Sequence, residues 1–66
     1  MPIIRVDLLE GRDAGTKREL IGRLTDVTAE VLGVSREQVR VLITELPPRH
    51  WGTGGVPIDE RKTFEP

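Results

Sequence analysis

The chain has 66 residues, 36% hydrophobic and 32% charged, with 10 Lys plus Arg against 11 Asp plus Glu for a net charge of -1. That balance is globular in character, and without a long basic run it excludes a phosphate-tracking surface for nucleic acid. A chain this short buries only about 60% of the surface its unfolded form exposes; with no cysteine and a single histidine, His50, neither disulfides nor a structural metal is on hand, which leaves oligomerisation.

Apolar stretches are a few residues long, far short of the roughly 20 needed to span a bilayer, and the N-terminus lacks the apolar core of a signal peptide. The expectation is a soluble, cytoplasmic protein with one domain over residues 1–66. In chain order, Ile3 to Leu9 reads as a strand. Alternation sets Pro2, Ile4, Val6 and Leu8 on one face and Ile3, Arg5, Asp7 and Leu9 on the other.

Glu10 to Asp13 forms a polar turn with Gly11. Asp13 is one candidate helix cap, and Thr16-Lys17-Arg18-Glu19 is a competing capping box. Leu20, Ile21, Leu24, Val27, Thr28, Val31 and Leu32 then recur at helical spacing, with Lys17, Arg18, Arg23, Asp26 and Glu30 left to the surface. Gly33 suits the left-handed position past the helix end, and Ser35-Arg36-Glu37-Gln38 predicts a single capped turn.

Val39 to Leu46 is the second strand, closed by Pro47-Pro48 and followed by a loop. Gly52-Thr53-Gly54-Gly55 with Val56-Pro57-Ile58 reads as a glycine turn in a short hairpin or extended arm, before a charged tail. A helix of about five turns between two strands makes a right-handed crossover, so the strands are expected to be parallel. Two parallel strands leave both edges open and one face uncovered, a second reason to expect association with another chain.

Met1-Pro2-Ile3-Ile4 through Leu8-Leu9-Glu10-Gly11-Arg12, then Val39-Arg40-Val41 to Thr44-Glu45, then His50-Trp51-Gly52-Thr53-Gly54-Gly55, resembles the 4-oxalocrotonate tautomerase family over nearly the whole chain. The resemblance implies an α+β fold, a βαβ protomer with two parallel strands, one amphipathic helix and a short C-terminal hairpin. Its sheet is extended by dimerisation, and three dimers commonly form a hexamer. The implied activity is cofactor-independent and metal-free keto-enol tautomerisation of a 2-hydroxydienoate such as 2-hydroxymuconate, in aromatic catabolism or in biosynthesis.

By that resemblance Met1 is removed, which a small second residue favours, and the secondary amine of Pro2 becomes the general base. An ordinary α-amino group titrates at about 7.7 to 8.0 and proline's amine higher, so an apolar surround of Ile4, Leu8 and Trp51 with nearby arginines is expected to depress it. Arg12 is implied to clamp the distal carboxylate of a dicarboxylate, and Arg40 to reach into a neighbouring subunit's site and hold the carboxylate and 2-oxygen. Leu9 and Trp51 are the expected substrate-contacting apolar residues; family members commonly carry phenylalanine at the latter position, so tryptophan bears on substrate size.

His50, without cysteine or carboxylate at ligand spacing, is read as structural or exposed. Relatives that hydrate or dehalogenate unsaturated acids place a glutamate near the glycine turn, whereas this chain has Thr53 there. Hydratase, dehalogenase or decarboxylase chemistry is therefore the competing enzymatic reading. A non-catalytic subunit of a hetero-oligomer is the competing reading from another class.

Overall fold

The computed structural model describes residues 1–60 of the 66. Strand β1 (Ile3–Leu9) alternates as its composition dictates: Ile4, Val6 and Leu8 are half-buried, Ile3, Arg5 and Asp7 are exposed, and Leu9 ends the strand buried. Gly11, at φ 132, turns the chain out of the strand. That turn delivers Asp13 to the start of helix α1 (Ala14–Leu32), where its carboxylate accepts the Thr16 N–H at 2.7 Å. The choice between two caps thus falls to Asp13, and Glu19 of the rival box pairs instead with Arg23 one turn on.

Gly33 closes the helix at φ 68, and the N–H groups of Gly33 and Val34 both donate to the Ala29 carbonyl. The expected single turn follows at Arg36–Gln38, with Gln38 Oε1 accepting the Ser35 N–H at 3.1 Å and an Arg36–Asp26 ion pair tying it to α1. Strand β2 (Arg40–Leu46) begins one residue later than expected. The Val39 N–H is committed to the Arg36 carbonyl at 3.1 Å, so Val39 belongs to the turn and is, with Leu9, one of two buried hydrophobic residues among those described.

The strands β1 and β2 are parallel, in register from Ile3 opposite Arg40 to Leu9 opposite Leu46. The ladder is continued by Arg40 N–H to Pro2 C=O at 3.0 Å at one end and Glu10 N–H to Leu46 C=O at 2.9 Å at the other. α1 covers the face that carries Ile4, Val6, Val41 and Ile43. Lys17 departs from its expected surface position: it is half-buried and meets Glu45 of β2 at 2.7 Å, a link between helix and sheet.

The apolar stripe of α1 is wider than its own sheet can cover. Leu20, Leu24 and Thr28 are half-buried, but Val27, Val31 and Leu32 stay 59%, 75% and 57% exposed. Two strands and one helix bury too little to form a conventional core.

After Pro47 the chain makes a turn at Pro48–His50 where only a loop was expected. Proline suits the first position of a helical turn, where its missing N–H is not needed, and His50 and Trp51 then donate to the carbonyls of Pro47 and Pro48. The hairpin is present as β3 (Gly52–Thr53) and β4 (Val56–Pro57), antiparallel, with Gly54 and Gly55 both at positive φ as a two-residue primed turn requires. Ile58–Glu60 forms a last turn, its first N–H donating to the Trp51 carbonyl at 2.8 Å. The charged tail lies from 61 onward outside the described residues.

Candidate active site

The parallel register sorts the five residues singled out in the sequence between two ends of one sheet. At the starting end Pro2 is half-buried, and its carbonyl accepts the Arg40 N–H at 3.0 Å, so the backbones of Pro2 and Arg40 are adjacent. Arg40 belongs to the sheet face opposite α1 and is exposed. Its Nη1 donates to the Glu37 carbonyl at 2.6 Å and more loosely to the Val39 carbonyl at 3.5 Å. The turn before β2 therefore steadies the guanidinium, a role for the Glu37 backbone that the sequence reading missed; the signal was an arginine four residues after the start of a capped turn.

At the finishing end Leu9 is buried, and Arg12, exposed just beyond it, donates from Nη1 to the Leu9 carbonyl at 3.4 Å. Trp51 follows the same end of β2 by five residues and is half-buried, its backbone held between the Pro48 carbonyl and the Ile58 N–H. His50 is exposed, and Thr53 is an exposed residue of the hairpin.

A strand advances about 3.3 Å per residue, so the run from Ile3 to Leu9 separates the two ends by about 20 Å. One chain thus joins Pro2 with Arg40, and Leu9 with Arg12, without bringing the two pairs together. The expected wall of Ile4, Leu8 and Trp51 around Pro2 divides in the same way: Ile4 lies on the same side and end as Pro2, whereas Leu8 lies at the far end of its own strand. A shallow depression on α1, lined by Thr16, Glu19, Leu20 and Arg23, contains none of these residues.

Among the described residues no three or more His, Asp or Glu side chains gather as a metal site, and no helix is long and apolar enough to cross a membrane.

A parallel βαβ unit that carries a proline at position 2, an arginine near each end of the sheet and a glycine hairpin fits the protomer of a tautomerase. The chain belongs to the tautomerase family, whose model, described as tautomerase enzyme, matches residues 2–61. It is 53% identical over 62 residues to a Ralstonia nicotianae protein described as a probable tautomerase, covering 94% of this chain and 89% of that one. It is 44% identical over 60 residues to the 2-hydroxymuconate tautomerase of Pseudomonas sp. strain CF600, covering 91% and 95%.

Solved structures share the fold. A 4-oxalocrotonate tautomerase homologue of the tomaymycin biosynthetic pathway superposes with a TM-score of 0.89 at 44% identity, over 92% of this chain and 94% of that one. A heterohexameric 4-oxalocrotonate tautomerase from Chloroflexus aurantiacus superposes with a TM-score of 0.86 at 38% identity, over 91% and 97%.

Proposed function

We propose that this chain tautomerises a 2-hydroxydienoate such as 2-hydroxymuconate to its 2-oxo isomer, with the amine of Pro2 as general base once Met1 is removed. The amine takes the 2-hydroxyl proton, the electrons of that O–H bond form the 2-oxo group, the double bonds shift along the chain, and the proton returns to a distal carbon. The 44% identity to a 2-hydroxymuconate tautomerase supports the substrate class, and the family match begins at Pro2. No metal or cofactor enters the scheme.

The observation that carries this reading furthest is the separation of the sheet's two ends. A dicarboxylate that touches Pro2 at one carboxylate end and Arg12 at the other needs those residues from different chains. Antiparallel association at a sheet edge sets the Pro2 end of one protomer against the Leu9, Arg12 and Trp51 end of its partner, and it covers an open edge at the same time. Leu9 and Trp51 then wall the amine in apolar surface, and with the arginine cations they disfavour the ammonium form. Arg12 clamps the distal carboxylate, and Arg40 holds the carboxylate and 2-oxygen of a substrate in a neighbouring site.

The assembly is read as a homohexamer of three dimers. The heterohexameric relative keeps a second reading in view, in which this chain is one of two subunit types. Water-adding chemistry has less support, because Thr53 and not an acid stands on the hairpin. An ultraviolet assay of 2-hydroxymuconate with wild type and Pro2→Ala tests the proposal: loss of most activity is expected, and equal rates would overturn it.

A further inference from the structure

We infer that Lys17 and Glu45 are positioning residues for Arg12: their ion pair fixes the first turns of α1 against the end of β2 and so aims the Arg12 guanidinium. The inference rests on the proposed use of Arg12 as the clamp for a distal carboxylate, and it names what holds that clamp in place. Lys17 Nζ donates to Glu45 Oε1 at 2.7 Å across 28 residues of sequence. Of the ion pairs Lys17–Glu45, Arg23–Glu19 and Arg36–Asp26, the first alone joins helix to sheet.

Arg12 stands in the turn 10–13 between β1 and α1, and the finish of β2 holds that turn at both ends. At its entry the Glu10 N–H donates to the Leu46 carbonyl at 2.9 Å. At its exit Asp13 caps α1, its carboxylate accepting the Thr16 N–H at 2.7 Å and its carbonyl the Lys17 N–H at 3.2 Å. Lys17 therefore grips the turn through its backbone and Glu45 through its side chain, and Glu45 is the neighbour of Leu46. Strand, turn and helix close a circuit that contains Arg12. Gly11 lies inside that circuit at φ 132, the point about which the turn pivots most freely, and the ion pair is the tie that stops α1 swinging about it.

The Lys17 and Glu45 side chains are 27% and 31% exposed, and an ion pair that open to water adds little stability. What it supplies is direction. A guanidinium meets a carboxylate through paired hydrogen bonds of fixed geometry, and a displacement of about 1 Å at such a contact costs up to about a hundredfold in rate. Loss of the pair should therefore fall on ligands that carry a distal carboxylate and spare those that lack one.

The test uses the full chain as wild type, Lys17→Met, Glu45→Gln, the two combined, and Lys17→Arg. Trp51, the single tryptophan, follows the same end of the sheet as Arg12, and its fluorescence reports binding. Two probes of equal length are titrated: hexa-2,4-dienedioate, with a carboxylate at each end, and hexa-2,4-dienoate, with one. Wild type should prefer the dienedioate. Lys17→Met and Glu45→Gln should each weaken it by roughly tenfold and leave the dienoate within about twofold, and the combined variant should be no worse than either, because both remove one interaction. Lys17→Arg should behave as wild type, and circular dichroism should show the same helix content throughout.

Equal weakening of both probes, no weakening of either, or a wild type that holds the two equally overturns the inference. If one neutral variant fails to fold the other decides, and failure of both overturns it, since the pair then holds the fold rather than Arg12. Turnover of 2-hydroxymuconate by wild type separates the two proposals. Inactive wild type with weakening confined to the dienedioate sinks the chemistry alone, and active wild type with equal weakening of both probes sinks the positioning role alone.

Discussion

Two disabled chains are expected to regenerate activity when they assemble together. Pro2→Ala removes the proposed base and Arg12→Ala the distal clamp, and the seven residues of β1 hold these positions about 20 Å apart in one chain. A site containing both must take them from different protomers. In a 1:1 mixture assorted at random, a site is whole when its Pro2 comes from an Arg12→Ala chain and its Arg12 from a Pro2→Ala chain, each with even odds. Roughly one site in four is then intact under reciprocal pairing.

The measurement is turnover of 2-hydroxymuconate after the two chains are unfolded, mixed and refolded, set beside each variant treated alone. About a quarter of wild-type turnover is expected where the mean of the separate preparations is near background. A mixture no better than that mean would show that each chain builds its own site, and the division of the sheet's ends would lose its functional meaning.

Acid should loosen α1 at its start. Hydrogen bonds from Thr16, its backbone N–H first, hold the Asp13 carboxyl below its ordinary value, so the ionised cap contributes stability above the unfolded-state pKa, and that contribution is lost as pH falls through the lower folded-state pKa. Thermal melts of wild type and Asp13→Ala should differ near neutrality and converge in strong acid; a constant difference would refute the cap's role. At the other end of the helix, Gly33 has φ 68 and open space where a side-chain carbon would sit, so Gly33→Ala adds backbone strain alone. That strain costs about 1 to 2 kcal/mol, and Tm should fall by roughly 4 to 8 °C per kcal/mol when melts are compared at one protein concentration. An unchanged Tm would contradict it.

Local patterns carried most of the fold. Alternation in β1, helical spacing through Leu32 and the glycines at 33, 54 and 55 each report a backbone geometry that nearby residues decide. What depended on a distant partner was harder to read. Periodicity marked Val27, Val31 and Leu32 as apolar, yet it could not say that their own sheet is too narrow to cover them. Lys17 turned inward because Glu45, 28 residues away, awaits it. Pro48 reads as a strand breaker in sequence, and its fitness to open a helical turn emerged only with the following hydrogen bonds.

The candidate site divides along the same line. Residue types and the family resemblance named Pro2, Leu9, Arg12, Arg40 and Trp51, but the pairing of Pro2 with Arg40 at one end follows from strand register, which no local pattern encodes. Leu8 was expected beside Pro2, and the two do fall on one face of the strand. Sharing a face does not mean sharing an end, and the rise along the strand separates them.

The central claim is that the free amine of Pro2 is the base, and graded removal of Met1 tests it most directly. Preparations treated for increasing times with a methionine aminopeptidase are weighed by intact mass and assayed on 2-hydroxymuconate in parallel. Turnover should rise in proportion to the fraction of chains that begin at Pro2, from near background when Met1 is retained. Full turnover by chains that still carry Met1, in which the Pro2 nitrogen is an amide, would contradict the account.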